Sequence, residues 1–157
     1  MTTATGEREL SYEEERGKPM PSKVHGMVQM SLGIELSAHR EYRVLSELSL
    51  ELNGERFTPD LCIYPREPMN VWDDEPRVTI PPLLAVEIYS ASQGYNDFIP
   101  KFRAYFRAGV KSCWLVNPAQ HAITIYTPDG GEKTFLPGQV AVDPVIGVTA
   151  EVDAVFA

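Results

Sequence analysis

Two acids stand in stretches that otherwise read as core. Glu87 interrupts LLAVEIYS, a short apolar run rich in branched residues, and Asp60 follows Pro59 at the mouth of a second such run, PDLCIY. An ionised carboxylate taken out of water without a partner costs roughly several kcal/mol and persists only when paired, protonated or bound to a metal. Two such groups on adjacent strands repel one another, and a hard divalent cation relieves the conflict. Mg2+ (or Mn2+) takes one or two carboxylates and completes its shell with water and phosphate oxygens, so Asp60 and Glu87 are expected as metal ligands at a site for phosphoryl chemistry. Lys101 lies fourteen residues after Glu87, on a helical stretch where it shares a face with Phe98 and Tyr105. Its stem is then expected to pack on the sheet, with the ammonium placed to orient an attacking water or offset charge on a pentacoordinate phosphorus. Taken singly, each residue has a plainer reading: Glu87 as a structural acid paired with an arginine such as Arg103, Asp60 as a turn residue, Lys101 as a snorkelling surface lysine.

Other chemistries lack their residues. His25, His39 and His121 are too scattered for a metal-ligand pair, and Cys62 and Cys113 form no CxxC, which argues against a structural zinc. There is no GxSxG elbow and no GxGxxG, and the Gly130-Gly131-Glu132-Lys133 stretch has the wrong spacing for a phosphate loop.

The elements that must carry these residues can be read from period and punctuation. Ser22 is expected to cap a helix from about Val24 to His39, with Val24, Val28, Leu32 and Leu36 at i+4 and Met27, Met30 and Ile34 widening the buried stripe. YRVLSELSLEL alternates, and Asn53-Gly54 signals a tight hairpin leading into RFTPDLCIYP. A proline-punctuated loop over residues 65–82 is expected to cover Trp72. LLAVEIYS and SCWLVNP read as buried strands around a helix, NDFIPKFRAYFRAGV, that starts at Asn96 or Asp97 and stops at Gly109. HAITIYTPDGGEKTFL is a hairpin, and EVDAVFA a short strand or a turn of helix. This order predicts an α/β fold, a mixed central sheet flanked by helices with additional antiparallel strands.

At 157 residues the chain suits one domain over 12–157 after a loose polar lead-in over 1–11. Thirteen prolines argue against a plain helical bundle. Without an apolar run of membrane-spanning length or a leader-like apolar segment, and with two cysteines in apolar runs, a cytoplasmic protein with reduced core thiols is expected. The formal charge of −8 opposes non-specific coating of nucleic acid. It is unevenly spread: residues 96–111 carry Lys101, Arg103, Arg107 and Lys111 against Asp97 alone, whereas 112–157 carry five acids against Lys133. A local cationic face is therefore compatible with the whole.

Asp60 in TPDLCIYP, Glu87 in LLAVEIYSAS, Lys101 in PKFRAYFRAGVKSCWLVNP and the N-terminal YEEERGKPMPSKVHG together resemble the Uma2 (DUF820) family of candidate restriction endonucleases, within the PD-(D/E)xK nuclease-like superfamily. The resemblance runs from about Tyr12 to Phe156. It implies a restriction-endonuclease-like core and a metal-dependent endonuclease that hydrolyses DNA phosphodiester bonds with a metal-activated water. It also implies Asp60 and Glu87 as ligands of Mg2+ (or Mn2+) and Lys101 as the catalytic lysine. That lysine is moved to the helix because Tyr89 occupies its usual strand position. Glu13, four residues before Gly17, matches a family acid that serves as a further ligand or water-orienting group, and His25 matches a position that contacts phosphate. Ala91 stands where the family commonly has proline. Two alternatives stay open: a catalytically silent nuclease-fold module acting as a dimeric binding or regulatory protein, and a hydrolase of something smaller than DNA, such as a nucleotide. A homodimer is expected on the supposition that Ile123, Ile125 and Tyr126 of the C-terminal hairpin are exposed.

Overall fold

A computed structural model of the chain describes residues 11, 14, 16–18, 20–90 and 97–157. Tyr12, Glu13, Ala91 and Asn96, and residues 1–10 of the expected lead-in, lie outside the described residues. The chain enters helix α1 (Lys23–Ser37) and then strands β1 (Tyr42–Ser46), β2 (Leu50–Leu52), β3 (Glu55–Phe57), β4 (Leu61–Pro65) and β5 (Leu84–Ile88). Helix α2 (Phe98–Ala108) leads to β6 (Ser112–Asn117), β7 (Ala122–Tyr126), β8 (Glu132–Phe135), β9 (Val140–Val142), β10 (Thr149–Glu151) and a last helix, α3 (Val152–Phe156). Six strands form one mixed sheet in the order β1-β4-β5-β6-β7-β8. All its pairs are antiparallel except β5 with β6. A parallel pair needs a crossover, and α2 supplies it. The α/β class expected from the order of elements is the one observed.

The strand period of two sorts side chains onto the two faces of this sheet. Leu84, Val86 and Ile88 of β5, with Trp114 and Val116 of β6, pack against Val28, Leu32 and Leu36 of α1 and Val152 and Val155 of α3. Ala85, Cys113 and Leu115 point the other way, onto Phe98, Phe102 and Tyr105 of α2 and onto Leu50 and Leu52 of the β2–β3 hairpin. Glu87 falls on that second face by the same alternation, and every residue of β5 is buried. The two thiols are free and buried, and burial pushes Cys62 up to about 12, so both behave as small apolar side chains.

Helix ends follow their residues. Ser22 accepts the backbone N–H of His25 and starts α1. Gly109 ends α2 at φ +106°, a left-handed cap that lets its N–H reach the Phe106 carbonyl and that of Val110 reach Tyr105. Asn53 and Gly54, both at positive φ, make the β2–β3 turn.

Four expectations are corrected. Only one line of α1 is buried: Val24, Met27, Met30 and Ile34 are all exposed, because the helix meets the sheet along His25, Val28, Leu32 and Leu36. YRVLSELSLEL is not one strand; Glu47 at φ +55° breaks it, sending β1 to the main sheet and β2 to the hairpin. Trp72 is 94% exposed rather than covered by its loop. Ile123, Ile125 and Tyr126 are buried between β6, β8 and the layers above, so these three do not form the exposed apolar patch expected of them. Strand β9 went unforeseen, and Ser11, placed in the loose lead-in, exchanges hydrogen bonds with Glu14.

Candidate active site

Asp60 sits where the β4–β5 ladder ends. Backbone pairing runs from Ile63–Leu84 to Leu61–Val86, and the Asp60 N–H still reaches the Val86 carbonyl at 3.0 Å. The next donor along β5, the N–H of Ile88, is met by the Asp60 side chain instead, with Oδ2 accepting at 2.7 Å. A buried backbone donor needs a partner, and a carboxylate substitutes for the missing strand. The Asp60 carbonyl is held as well, accepting from Gln29 Nε2 on α1 at 3.0 Å and from the Glu47 N–H. The aspartate is thereby fixed from both ends.

Its other oxygen, Oδ1, collects three cationic or polar donors: Lys18 Nζ at 2.6 Å, Arg16 Nη2 at 3.0 Å and His25 Nε2 at 3.1 Å. Glu87 comes up beside it from β5. Lys18 Nζ lies 2.7 Å from Glu87 Oε2, while Oε1 accepts from the Tyr105 hydroxyl at 2.9 Å and has Lys101 Nζ at 3.5 Å. Both acids are fully buried. The expected convergence is therefore present: Asp60 Oδ1 and Glu87 Oε2 face a common point. The group at that point is an ammonium, that of Lys18.

The charges explain how the fold tolerates the pair. Burial, the largest influence on Asp60, works against ionisation, but the His25 hydrogen bond and the Lys18 charge overcome it and hold the carboxyl down at about 2. Burial likewise works against the charged form of Lys18, and the charges of Glu87 and Asp60 outweigh it and keep the ammonium above its ordinary value. Burial, then the Glu87 charge, pushes the Tyr105 phenol well up, so the hydroxyl remains a donor to Glu87. Arg16 is anchored away from the centre by Nε and Nη2 contacts to Glu47, each 2.9 Å.

Each sequence-predicted residue can now be located. Asp60, Glu87 and Lys101 come together. The Lys101 side chain is 19% exposed, against 3% for Lys18 and 1% for Arg16, so it is the one of these three cations that solvent or a ligand reaches readily. Its nitrogen lies 5.9 Å from the centre of the Phe98 ring, one turn back on the same helix. The partners of Glu87 are Lys18, Tyr105 and Lys101 rather than Arg103. His25 turns Nε2 to Asp60; its Nδ1 is buried with no partner among the described residues, in the wall of a cleft of about 530 Å³ shared with Tyr89, Ser90 and His121. Glu13 lies outside the described residues. Sequence reasoning missed Arg16, Lys18, Gln29 and the Tyr105 hydroxyl. The available signal was one of balance, since two buried acids need cations and RGK brackets Gly17 just upstream of α1.

The donor set suits a hard cation. Two carboxylate oxygens already converge on one, and Mg2+ is commonly held by two carboxylates, with water and phosphate oxygens filling the shell. Among the described residues no three His, Cys, Asp or Glu side chains gather to hold a metal.

A family model described as "Uma2: Putative restriction endonuclease" matches residues 7–151. Among solved structures, a crystal structure described as a putative nuclease belonging to DUF820 from Anabaena variabilis is similar at TM-score 0.73 and 20% identity, covering 88% of this chain and 83% of that one. A search of curated proteins gives no match.

Proposed function

Because the chain belongs to the Uma2 family, we propose that it is a metal-dependent endonuclease hydrolysing DNA phosphodiester bonds at the Asp60–Glu87 pair. The observation that carries this reading is the meeting of two fully buried carboxylates at one point, with Lys101 beside them and partly open to solvent. Asp60 and Glu87 would hold Mg2+ or Mn2+, which when bound supplies a water of lowered pKa and polarises the phosphate. The chain's own residues do the rest. The Ile88 N–H and Arg16 fix Asp60, and the Tyr105 hydroxyl fixes Glu87, so neither carboxylate needs to reorganise. Lys101 meets the scissile phosphate and offsets the charge that builds on its oxygens. His25, turned to Asp60, acts as a positioning residue. Glu13 is assigned as a further acid orienting water.

The same reading takes the protein as cytoplasmic and as a homodimer, since a chain of this length reads a DNA site most simply with two subunits. Among the described residues no helix is long and apolar enough to cross a membrane. The test is cleavage of supercoiled plasmid with Mg2+ or Mn2+ by the wild type and by Asp60→Ala, Glu87→Ala and Lys101→Ala. Cleavage by the wild type, lost in Asp60→Ala and Glu87→Ala and cut about a hundredfold in Lys101→Ala, is the expected result; equal activity in all four proteins sinks the proposal. One observation favours a second reading, a silent nuclease-fold module: Lys18 and Arg16 already neutralise the two acids. Absence of cleavage together with absence of Mn2+ binding would select it.

A further inference from the structure

We propose that Lys18 is the resident cation of the site, and that a divalent ion binds Asp60 and Glu87 only by taking its place. The inference rests on the metal-dependent reading above. Lys18 Nζ bonds Asp60 Oδ1 at 2.6 Å and Glu87 Oε2 at 2.7 Å, so it fills the one point that both acids face. A Mg2+ ion bonds its oxygens at about 2.0–2.1 Å, and the two cations cannot share that point.

The remaining oxygens each already hold a donor of their own. Asp60 Oδ2 is committed to the Ile88 N–H, and Glu87 Oε1 to the Tyr105 hydroxyl with Lys101 close by. An ion added beside Lys18 would also stand among Arg16, Lys18 and Lys101 in a poorly screened interior, where like charges repel strongly. Entry of the metal is therefore an exchange of one cation for another.

Lys18 is the cation built to leave. Arg16 is tied by two further bonds to Glu47, and Lys101 rides on a packed helix. The Lys18 ammonium is held by the two carboxylates alone among the described residues, on a flexible stem in a bend next to Gly17 at φ +68°. The consequence for the proposed reaction is a threshold. The chain neutralises its own acids when metal is scarce, and the ion must outcompete a tethered ammonium before the site is loaded.

The test measures binding rather than cleavage. Mn2+ alone is titrated by calorimetry into the wild type, Lys18→Met and, as a surface control, Lys111→Met. Lys18→Met is expected to bind Mn2+ at least about tenfold tighter than the wild type, and Lys111→Met to match the wild type. Unchanged or weaker binding by Lys18→Met overturns the exchange while leaving the nuclease reading standing. If no protein binds Mn2+, the exchange and the metal-dependent reading fall together. A measurement on the wild type guards against a poorly folded variant: acetylation of Lys18, followed by mass spectrometry, is expected to speed up at least about tenfold on adding Mn2+. An unchanged rate overturns the inference.

Discussion

Asp60 is the residue on which most of the site's order depends, since one carboxylate serves a strand end with Oδ2 and three donors with Oδ1. An amide at this position presents N–H groups to donors. Asp60→Asn is therefore expected to lose about 3–5 kcal/mol of stability, the usual cost of breaking a buried ion pair, in a urea titration. Its carboxyl is held at about 2 against an ordinary 3.8. A group whose folded value is the lower stabilises fully above its unfolded value and ceases to do so as pH falls through the folded one. The wild type, free of metal, should therefore lose about 2 kcal/mol between roughly pH 4 and pH 2. Asp60→Asn should lack that slope; an identical slope would show that another group titrates. Lys18 works in the opposite sense: its folded value lies above 10.5, so its contribution is complete below that pH and fades only above it. Asp60 and Glu87 were legible because a charge in or at the mouth of an apolar run is an anomaly. Lys101, among other cations on its helix, was legible only from its helical face and the family resemblance. Arg16 and Lys18 were not, because cations in a charged, aperiodic stretch look ordinary and only tertiary structure carries them into the core.

At the scale of elements, β5 and α2 do the positioning. The strand's alternation puts Glu87 on the α2 face, and the helix answers with Tyr105 and Lys101 one turn apart. Tyr105→Phe keeps the ring packed against Phe57 and Phe102 and removes only the donor to Glu87. It is expected to cost about 2 kcal/mol, the scale of a hydrogen bond to a charged group, seen as a lower melting temperature. Lys101→Ala should leave the melting temperature nearly unchanged while cutting plasmid cleavage on the order of a hundredfold, as loss of a charge-stabilising group does. Both strands and both helices nearest the site were readable from period and caps. The burial of α1 was not, since Met27, Met30 and Ile34 fit a wide apolar stripe, and only the width of the sheet beneath decides which residues it covers. The break at Glu47 was equally hidden, because an unbroken alternation gives no sign of a left-handed residue.

For the molecule as a whole, the cations gathered at the site contrast with a net charge of −8. The protein is not expected to coat DNA, and with Lys18 paired to both acids its fold is not expected to depend on metal. Chelation with EDTA should abolish cleavage yet leave the melting temperature within about 2 °C, unlike small domains whose folding free energy comes from their ion. A large fall in melting temperature on chelation would contradict the internal balance of charge. The fold class followed from the order of elements, but the layer arrangement that brings residues 16–18 over the end of β5 is a property of the assembled chain, outside the reach of local pattern.

The two tryptophans occupy opposite extremes, Trp72 at 94% exposure and Trp114 at 0%, the latter donating its indole N–H to Asp143. The intrinsic emission of the protein should therefore separate into a red component open to iodide quenching and a blue one closed to it. Any ligand or second chain that settles on the loop of residues 65–82 would announce itself in the first colour alone, without a label.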